Sequence, residues 1–478
     1  MNFPIYTCIE CGRKYEQDVL LTRCPYCGGL LQIVYKEYKL TLRDIPSLWR
    51  YMDLLPISRR EKIVSLLEGF TPLLRAERLG KIINVKNIYL KDETRNPTGS
   101  FTDRGTSLEI SKLLSYGVRK VICATRGDTG ASLAAYAARA NVEAVIYVPK
   151  NIEMGKLYQM AMYGAKIILT NNFIEASSLA DSHKLETYVF KPSSPFYLEG
   201  VKTIGFEILE QLRWAEPDFI IVPMGNGGLA SMILKAVREL KYAGLIENEP
   251  RIVGMQIKGQ DSLIKASKGI IKKLESVKEF RKVIAGDLLI EDTDLANYAL
   301  KLIKRGEIKG YSVDKKSVIE AVKNLAKTEG IFSEPASAVA IAGIEYLYNL
   351  GEIDNKDTVI AVITGAGLKV PRTIIQMLEH RKDIGELIRA VATGKKVARI
   401  GATKIKILQL LKEKPYYGYD LRKKLQEHGV NISLPTLYQH LEELEKLGLV
   451  TRSERVMGKR KRVYYIITEK GLYLISAQ

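Results

Sequence analysis

From about Thr71 onward the chain alternates short, β-rich apolar runs with stretches of helical period. Ile88-Tyr-Leu, Val121 to Ala124 and Ala144 to Val148 have strand length, and helices are predicted after Phe101 and over Ala131 to Ala140. The rhythm returns at Phe219 to Val222, Ile252 to Ile257 and Val359 to Ile363. Strands separated by helices call for crossover connections, so the pattern predicts an α/β fold of parallel sheets covered on both faces. Past Met377 the pattern changes. A charged helical connector, Leu378 to Thr393, leads to a helix over Thr403 to Lys412, a turn at Pro415 to Gly418, a helix over Tyr419 to His428, and a helix opened by Ser433 and ending at Leu447. Ser433 is a suitable N-cap, and Pro435 sits in the first turn, where a missing N–H costs nothing. Leu437, Leu441, Leu444 and Leu447 form one apolar stripe, too short for a zipper and suited to a core. Leu449 to Arg452 and Val463 to Thr468 flank a turn at Met457-Gly458 and read as a two-stranded wing. The expected domains are residues 1–35, 36–377, a linker helix over 378–395, and 396–478.

Composition adds class and partners. The 478 residues are 46% hydrophobic and 27% charged, which is ordinary for a globular protein and excludes disordered and fibrous classes. No apolar run approaches the roughly 18 to 20 residues of a membrane span. Cysteines and charges interrupt Met1 to Lys14 where a signal peptide would be apolar, so a cytoplasmic location is expected and no membrane partner. The formal net charge is +19, and residues 395 to 478 hold eighteen Lys and Arg against eight Asp and Glu, a local +10. A polyanion partner is expected at that end.

Four of the five cysteines stand in two Cys-x-x-Cys pairs, Cys8 with Cys11 and Cys24 with Cys27, separated by twelve residues. Gly12 and Gly28 follow them and allow the tight turn that points both thiolates of a pair at one ion. Four thiolates at this spacing fit a closed tetrahedral Zn²⁺ site, structural rather than catalytic. So short a segment lacks a core of its own, and the metal substitutes for one. Cys123 lies in an apolar run and is expected to be a buried small hydrophobe.

Asn96 to Gly105 reads Asn-Pro-Thr-Gly-Ser-Phe-Thr-Asp-Arg-Gly. It resembles the signature of the threonine synthase branch of fold-type II pyridoxal phosphate (PLP) enzymes, in which Ser-Phe precedes the lysine that forms the Schiff base. Thr102 occupies that position here, and a hydroxyl forms no imine. The resemblance implies a tryptophan synthase β-like body of two lobes on parallel sheets, and a similar zinc knuckle often precedes the catalytic domain in that family. Gly225, Asn226, Gly227 and Gly228 follow a strand and open a helix, so that backbone N–H groups converge on an anion; in the family this loop holds the PLP phosphate. Thr364 matches the threonine that bonds the pyridine nitrogen, and Glu334-Pro-Ala-Ser337 matches an element near the active site with no role assigned.

Thr125 to Ser132 departs from the family pattern. Asp128 stands where the family has the asparagine that contacts the phenolic oxygen, and Arg126 replaces a small hydroxyl residue. A carboxylate repels a phenolate that Asn would bond. Either Arg126 pairs with Asp128 and fills vacated space, or it points to solvent. Standard PLP chemistry, including β,γ-replacement on O-phosphohomoserine, then needs another lysine, such as Lys91 or Lys369. Otherwise the pocket binds PLP or another phosphorylated small molecule without a covalent bond.

The last segment resembles a PadR-type winged helix-turn-helix on Tyr417-Gly-Tyr-Asp-Leu421, Pro435-Thr-Leu-Tyr438 and Thr468-Glu-Lys-Gly471. The resemblance implies double-stranded DNA as partner, with Ser433, Thr436 and Gln439 leading the recognition helix into the major groove. Lys459, Arg460, Lys461 and Arg462, at or beside the wing tip, would meet phosphates or the minor groove. His428 and His440 are isolated and suit surface or packing roles. The combined expectation is a homodimeric transcription regulator with a small phosphorylated or amino-acid ligand. The alternative is an active threonine synthase that also binds DNA.

Overall fold

The computed structural model describes residues 4–16, 19–58, 60–274, 284–290, 293–378, 401–457 and 460–476. It divides into two compact units, residues 1–380 and 381–478. The first unit carries three sheets among its described residues. Ile5–Cys8, Lys14–Tyr15 and Leu31–Val34 form a small antiparallel sheet. A six-stranded sheet runs Lys309–Val313, Arg251–Ile257, Phe219–Pro223, Thr358–Ile363, Asn87–Asp92 and Leu73–Arg75, antiparallel only at the last strand. A four-stranded parallel sheet runs Lys166–Thr170, Glu143–Pro149, Lys120–Ala124 and Tyr188–Phe190.

The predicted two-lobed α/β body is therefore present, with every predicted strand in place. Central strands such as Phe219–Pro223 are buried throughout, because helices cover both faces of a parallel sheet. The loops that match the family all leave the C-terminal ends of strands: residues 93–101 after Asn87–Asp92, 125–127 after Lys120–Ala124, 224–227 after Phe219–Pro223, and 364–366 after Thr358–Ile363. Ligands of parallel α/β sheets gather at these ends.

A buried ionic cluster fixes the signature. The Arg104 guanidinium donates to Glu93 Oε2 at 2.6 Å and to Glu207 Oε1 at 2.5 Å, and Lys91 Nζ reaches Glu207 Oε2 at 2.7 Å. All four side chains are fully buried and each charge is answered, the condition under which buried ions are tolerated. Lys91 also donates to Thr71 O and Gln211 Oε1, so it belongs to this cluster rather than to a ligand site.

The second unit has helices at Ala402–Glu413, Gly418–Glu427 and Leu434–Lys446, and a ribbon of Val450–Met457 against Arg460–Ile467. Leu437, Leu441 and Leu444 are fully buried, as their stripe predicts. The ribbon is longer than the apolar runs suggested, because backbone pairing continues through charged residues as far as Met457 opposite Arg460. The predicted turn at Pro415 to Gly418 contains a short strand, Tyr416 against Tyr465 and Tyr417 against Tyr464, which adds a third strand to the wing. Of the linker helix predicted over 378–395, only Leu378 lies among the described residues, as the end of Pro371–Leu378.

Candidate ligand cavity and cysteine cluster

Thr102 opens the helix Thr102–Ser115 and is 4% exposed. Its hydroxyl lies 3.1 Å from Ser100 Oγ and 3.5 Å from the Asp128 carbonyl oxygen. The residues around it hold the scaffold. Asp103 accepts from Thr98 N and Thr98 Oγ1, both at 2.7 Å. Gly105 lies so close to the Tyr197 ring that a Cβ there would sit 2.5 Å from it. The residues on either side of Thr102 thus hold the loop in place.

The signature is laced to the loop of Thr364. Phe101 N donates to Thr364 O at 3.0 Å, and Ala366 N to Gly99 O at 2.9 Å. Ser337 explains the Glu334-Pro-Ala-Ser match: its hydroxyl lies 2.9 Å from Thr364 Oγ1 and accepts from Gly365 N at 2.7 Å, orienting the threonine. Thr364 and Thr102 line one cavity of about 130 Å³ together with Asp128, Glu334 and the loop Gly225 to Gly228.

That loop is a backbone device. Gly227 caps the helix Gly228–Tyr242 with φ +79°, a conformation that favours glycine. A Cβ on Gly227 would overlap Ala299, and one on Gly228 would sit 2.9 Å from Leu295, so the helix Thr293–Lys304 presses the loop into shape. Asn226 Oδ1 accepts from Gly228 N at 3.1 Å, closing the turn with its side chain. The helix N-terminus behind the loop suits a phosphate. The phosphate end of PLP fits these residues. Thr102 supplies no amine to the aldehyde end.

Asp128 begins the helix Asp128–Ala140. Its Oδ1 lies 3.0 Å from Lys369 Nζ and 3.1 Å from Lys156 Nζ, and Lys156 Nζ is 3.7 Å from Glu334 Oε2. Burial opposes the charge on Asp128, but the two lysines outweigh it and hold the carboxyl at about 2. Lys369 Nζ also donates to Thr98 O at 2.9 Å. Neither alternative for Arg126 stands. Arg126 is 6% exposed rather than solvated, and its guanidinium lies over the Phe173 ring at 4.4 Å while lysines take Asp128. Sequence reasoning missed Lys156. Its signal was positional: it starts a helix, Met154–Met162, just past the C-terminal end of the strand Glu143–Pro149.

The four cysteine sulfurs lie within 4.8 Å of one another, with Cys8 to Cys27 at 3.5 Å and Cys11 to Cys24 at 3.7 Å. A tetrahedron with Zn–S bonds of about 2.3 Å has edges of about 3.8 Å. The donor set therefore fits a metal ion, and Gly12 and Gly28, at φ +70° and +72°, make the expected turns.

In the second unit Ser433 Oγ accepts from Thr436 N at 3.2 Å, so Ser433 is the cap it was expected to be. Gln439 is exposed on the same helix. Lys459 lies outside the described residues, and Arg460, Lys461 and Arg462 fall in the ribbon, opposite Met457, Val456 and Arg455. Arg462 stacks on the Tyr417 ring at 4.5 Å.

Comparison with known proteins decides the affiliation of the body. The family model "Pyridoxal-phosphate dependent enzyme" matches residues 64–365. The chain belongs to that family. Within it, the threonine synthase of Methanocaldococcus jannaschii is 40% identical over 78% of this chain and 95% of its own length. That of Methanosarcina acetivorans is 36% identical over 80% and 96%. Maize serine racemase shares the fold, with TM-score 0.55 and 21% identity over 66% of this chain and 93% of its own. Diaminopropionate ammonia lyase from Escherichia coli does so at TM-score 0.57 and 17% identity, over 72% and 96%. The PLP-family body is joined to a second module, since the model of the transcriptional regulator PadR-like family matches residues 407–476. No helix among the described residues is long and apolar enough to cross a membrane.

Proposed function

We propose that the chain is a ligand-responsive transcription regulator, in which a threonine-synthase-like body with a degenerate PLP site serves as receptor and the PadR-like winged helix reads double-stranded DNA. One observation carries the reading. Thr102 stands at the lysine position of the signature, and the buried amines nearby, Lys156 and Lys369, are engaged by an ionised Asp128. An amine in an ion pair offers no lone pair to a carbonyl.

The ligand is PLP held without a covalent bond, or another phosphorylated small molecule. Gly225, Asn226, Gly227 and Gly228 take one phosphate. Among the described residues lining the cavity there is no Lys, Arg or His, and Asp128 and Glu334 are carboxylates. No cation of that described lining is placed to receive a second phosphate, such as that of O-phosphohomoserine beside bound PLP. The cysteine cluster takes a structural Zn²⁺, the regulator acts in the cytoplasm, and a homodimer reads two half-sites, with ligand shifting the population of DNA-competent dimers. Ser433, Thr436 and Gln439 approach base edges, and Lys459, Arg460, Lys461 and Arg462 approach phosphates.

The test is to incubate full-length protein with PLP, reduce with borohydride and map the peptides by mass spectrometry. No adduct at Lys156 or Lys369 is expected. A stoichiometric adduct at either would replace the receptor reading with the second one, an active or bifunctional threonine synthase, which the 40% identity over nearly the whole of a threonine synthase favours. Binding of the full chain to duplex DNA is expected to weaken steeply with salt, with a log–log slope of about −0.9 per phosphate contact. Salt-independent association would assign the winged helix to a protein partner.

A further inference from the structure

Both cysteine turns are tied to the helix Thr293–Lys304, whose Leu295 and Ala299 press the glycine loop into shape. Glu10, between Cys8 and Cys11, accepts from Lys301 Nζ at 2.6 Å. Arg23, next to Cys24, places Nε 3.7 Å from Asp294 Oδ2. Lys301 and Asp294 lie about two helical turns apart, so the two pairs grip one face of the helix. Being half-exposed, these pairs align the contact more than they stabilise it.

Apolar packing makes the firmer connection. Ile9, Leu31 and Ile33 face Leu198, Met232 and Leu295 across a gap of about 10 Å³. That is no more than one water requires, and so dense an interior passes on a displacement rather than absorbing it. Leu295 and Leu198 also line the cavity of the glycine loop. Leu295 therefore has the packing of the cysteine turn on one side and Gly228 on the other. A polar tie reinforces it: Lys235 Nζ, on the helix that the glycine loop opens, donates to Ile33 O at 2.6 Å.

A bound ion decides whether these contacts are held. So short a segment lacks a core of its own, and four thiolates without an ion between them leave the turn at Ile9 and Glu10 free to open. We propose that a divalent metal such as Zn²⁺ on Cys8, Cys11, Cys24 and Cys27 sets the anion affinity of the glycine loop, through Ile9, Leu295 and the helix Thr293–Lys304. The cysteine site is then regulatory as well as structural: the loop is backed in its anion-binding shape while the metal is bound and loses that backing when the metal leaves. The inference rests on the reading that the loop takes a phosphate and the cysteines a metal ion.

Titration calorimetry on the full-length protein tests it, zinc-loaded and after the metal is stripped with a chelator, with zinc content measured by atomic absorption. The probe is pyridoxine phosphate, which has the ring and phosphate of PLP but no aldehyde to react with surface lysines. The loaded protein is expected to bind it at least about fivefold more tightly, the lower end of common coupling between sites. Linkage requires the reciprocal: saturating pyridoxine phosphate raises zinc affinity by the same factor, read by competition with a chromophoric chelator. The double variant Ile9→Ala with Lys301→Met keeps all four cysteines and the loop, and is expected to bind zinc while the ratio of loaded to stripped affinities falls toward one. Equal affinity in loaded and stripped wild type, or an unchanged ratio in the variant, overturns the inference and leaves the phosphate site standing. Absence of zinc or of phosphate binding in the loaded protein overturns the site reading, and the inference with it. If stripping abolishes the native near-UV circular dichroism, the zinc-loaded wild type and variant are compared instead: the variant is expected to bind pyridoxine phosphate at least about fivefold more weakly, and equal affinity overturns the inference.

Discussion

The two ends of the first cavity are built from different materials. The glycine loop offers backbone N–H groups and is shaped by packing of Ala299 and Leu295. The Thr102 end presents the side chains of Thr102, Asp128 and Glu334, with Lys156 and Lys369 paired to Asp128 from outside that lining, so its chemistry is set one residue at a time. A backbone site tolerates side-chain drift around it and fails only when its shape is broken. A side-chain site changes function with single substitutions while the fold stays intact. On the proposed reading, phosphate recognition belongs to the first kind of site and the covalent chemistry to the second.

The sharpest way to break this contrast is at the backbone end. Gly227→Val places a Cβ into Ala299 and a β-branched residue at φ +79°, so overpacking and strain add to a loss of several kcal/mol of stability. Loss of phosphorylated-ligand binding, read by thermal-shift assay with PLP, is expected to be complete. A variant that keeps wild-type ligand affinity would mean that the loop is not the anion site.

At the side-chain end, Asp128→Asn removes one charge from a buried pair and leaves Lys156 and Lys369 under-compensated. The expected cost is about 3 to 5 kcal/mol, softened by Glu334. The pH dependence has a definite sign. The folded-state carboxyl sits at about 2 against an ordinary 3.8, so its stabilisation is present above about pH 4 and is lost as pH falls toward 2. Wild type is expected to lose roughly 2 kcal/mol more than Asp128→Asn over that window, read as melting temperature against pH. Parallel curves would mean that the lysines do not hold Asp128. The same residue governs regained chemistry: Thr102→Lys alone is expected to give little borohydride-trapped adduct, because Asp128 captures the new amine, and Thr102→Lys with Asp128→Asn substantially more.

What the sequence disclosed follows the same division. The strand–helix rhythm, the glycine loop, Thr364 and the cysteine turns are local patterns, and all appear where their spacing put them. Lys156 was not legible, because it reaches Asp128 from another helix and only the tertiary fold brings them together. Arg126 was misread for the same reason: its partner ring, Phe173, lies 47 positions away in the chain. Ser337 carried a motif match without a role until the 2.9 Å contact with Thr364 supplied one. In the winged helix, the apolar stripe fixed the core, whereas the third strand at Tyr416–Tyr417 rests on pairing with Tyr465 and Tyr464, far along the chain.

The smallest expected effect is the most discriminating. Thr102→Val keeps shape and removes one hydroxyl, whose nearer partner is Ser100 Oγ at 3.1 Å, with the Asp128 carbonyl oxygen at 3.5 Å. A single neutral hydrogen bond in a buried setting is worth about 1 kcal/mol, and the loss should appear as a modest drop in denaturation midpoint. If Thr102 only packs the cavity wall, ligand affinity measured by calorimetry stays within about twofold of wild type. A tenfold loss of affinity alongside the same 1 kcal/mol of stability would show the hydroxyl bonding the ligand directly. The side-chain end would then be a recognition element with its own specificity, rather than the inert remainder of a lysine site.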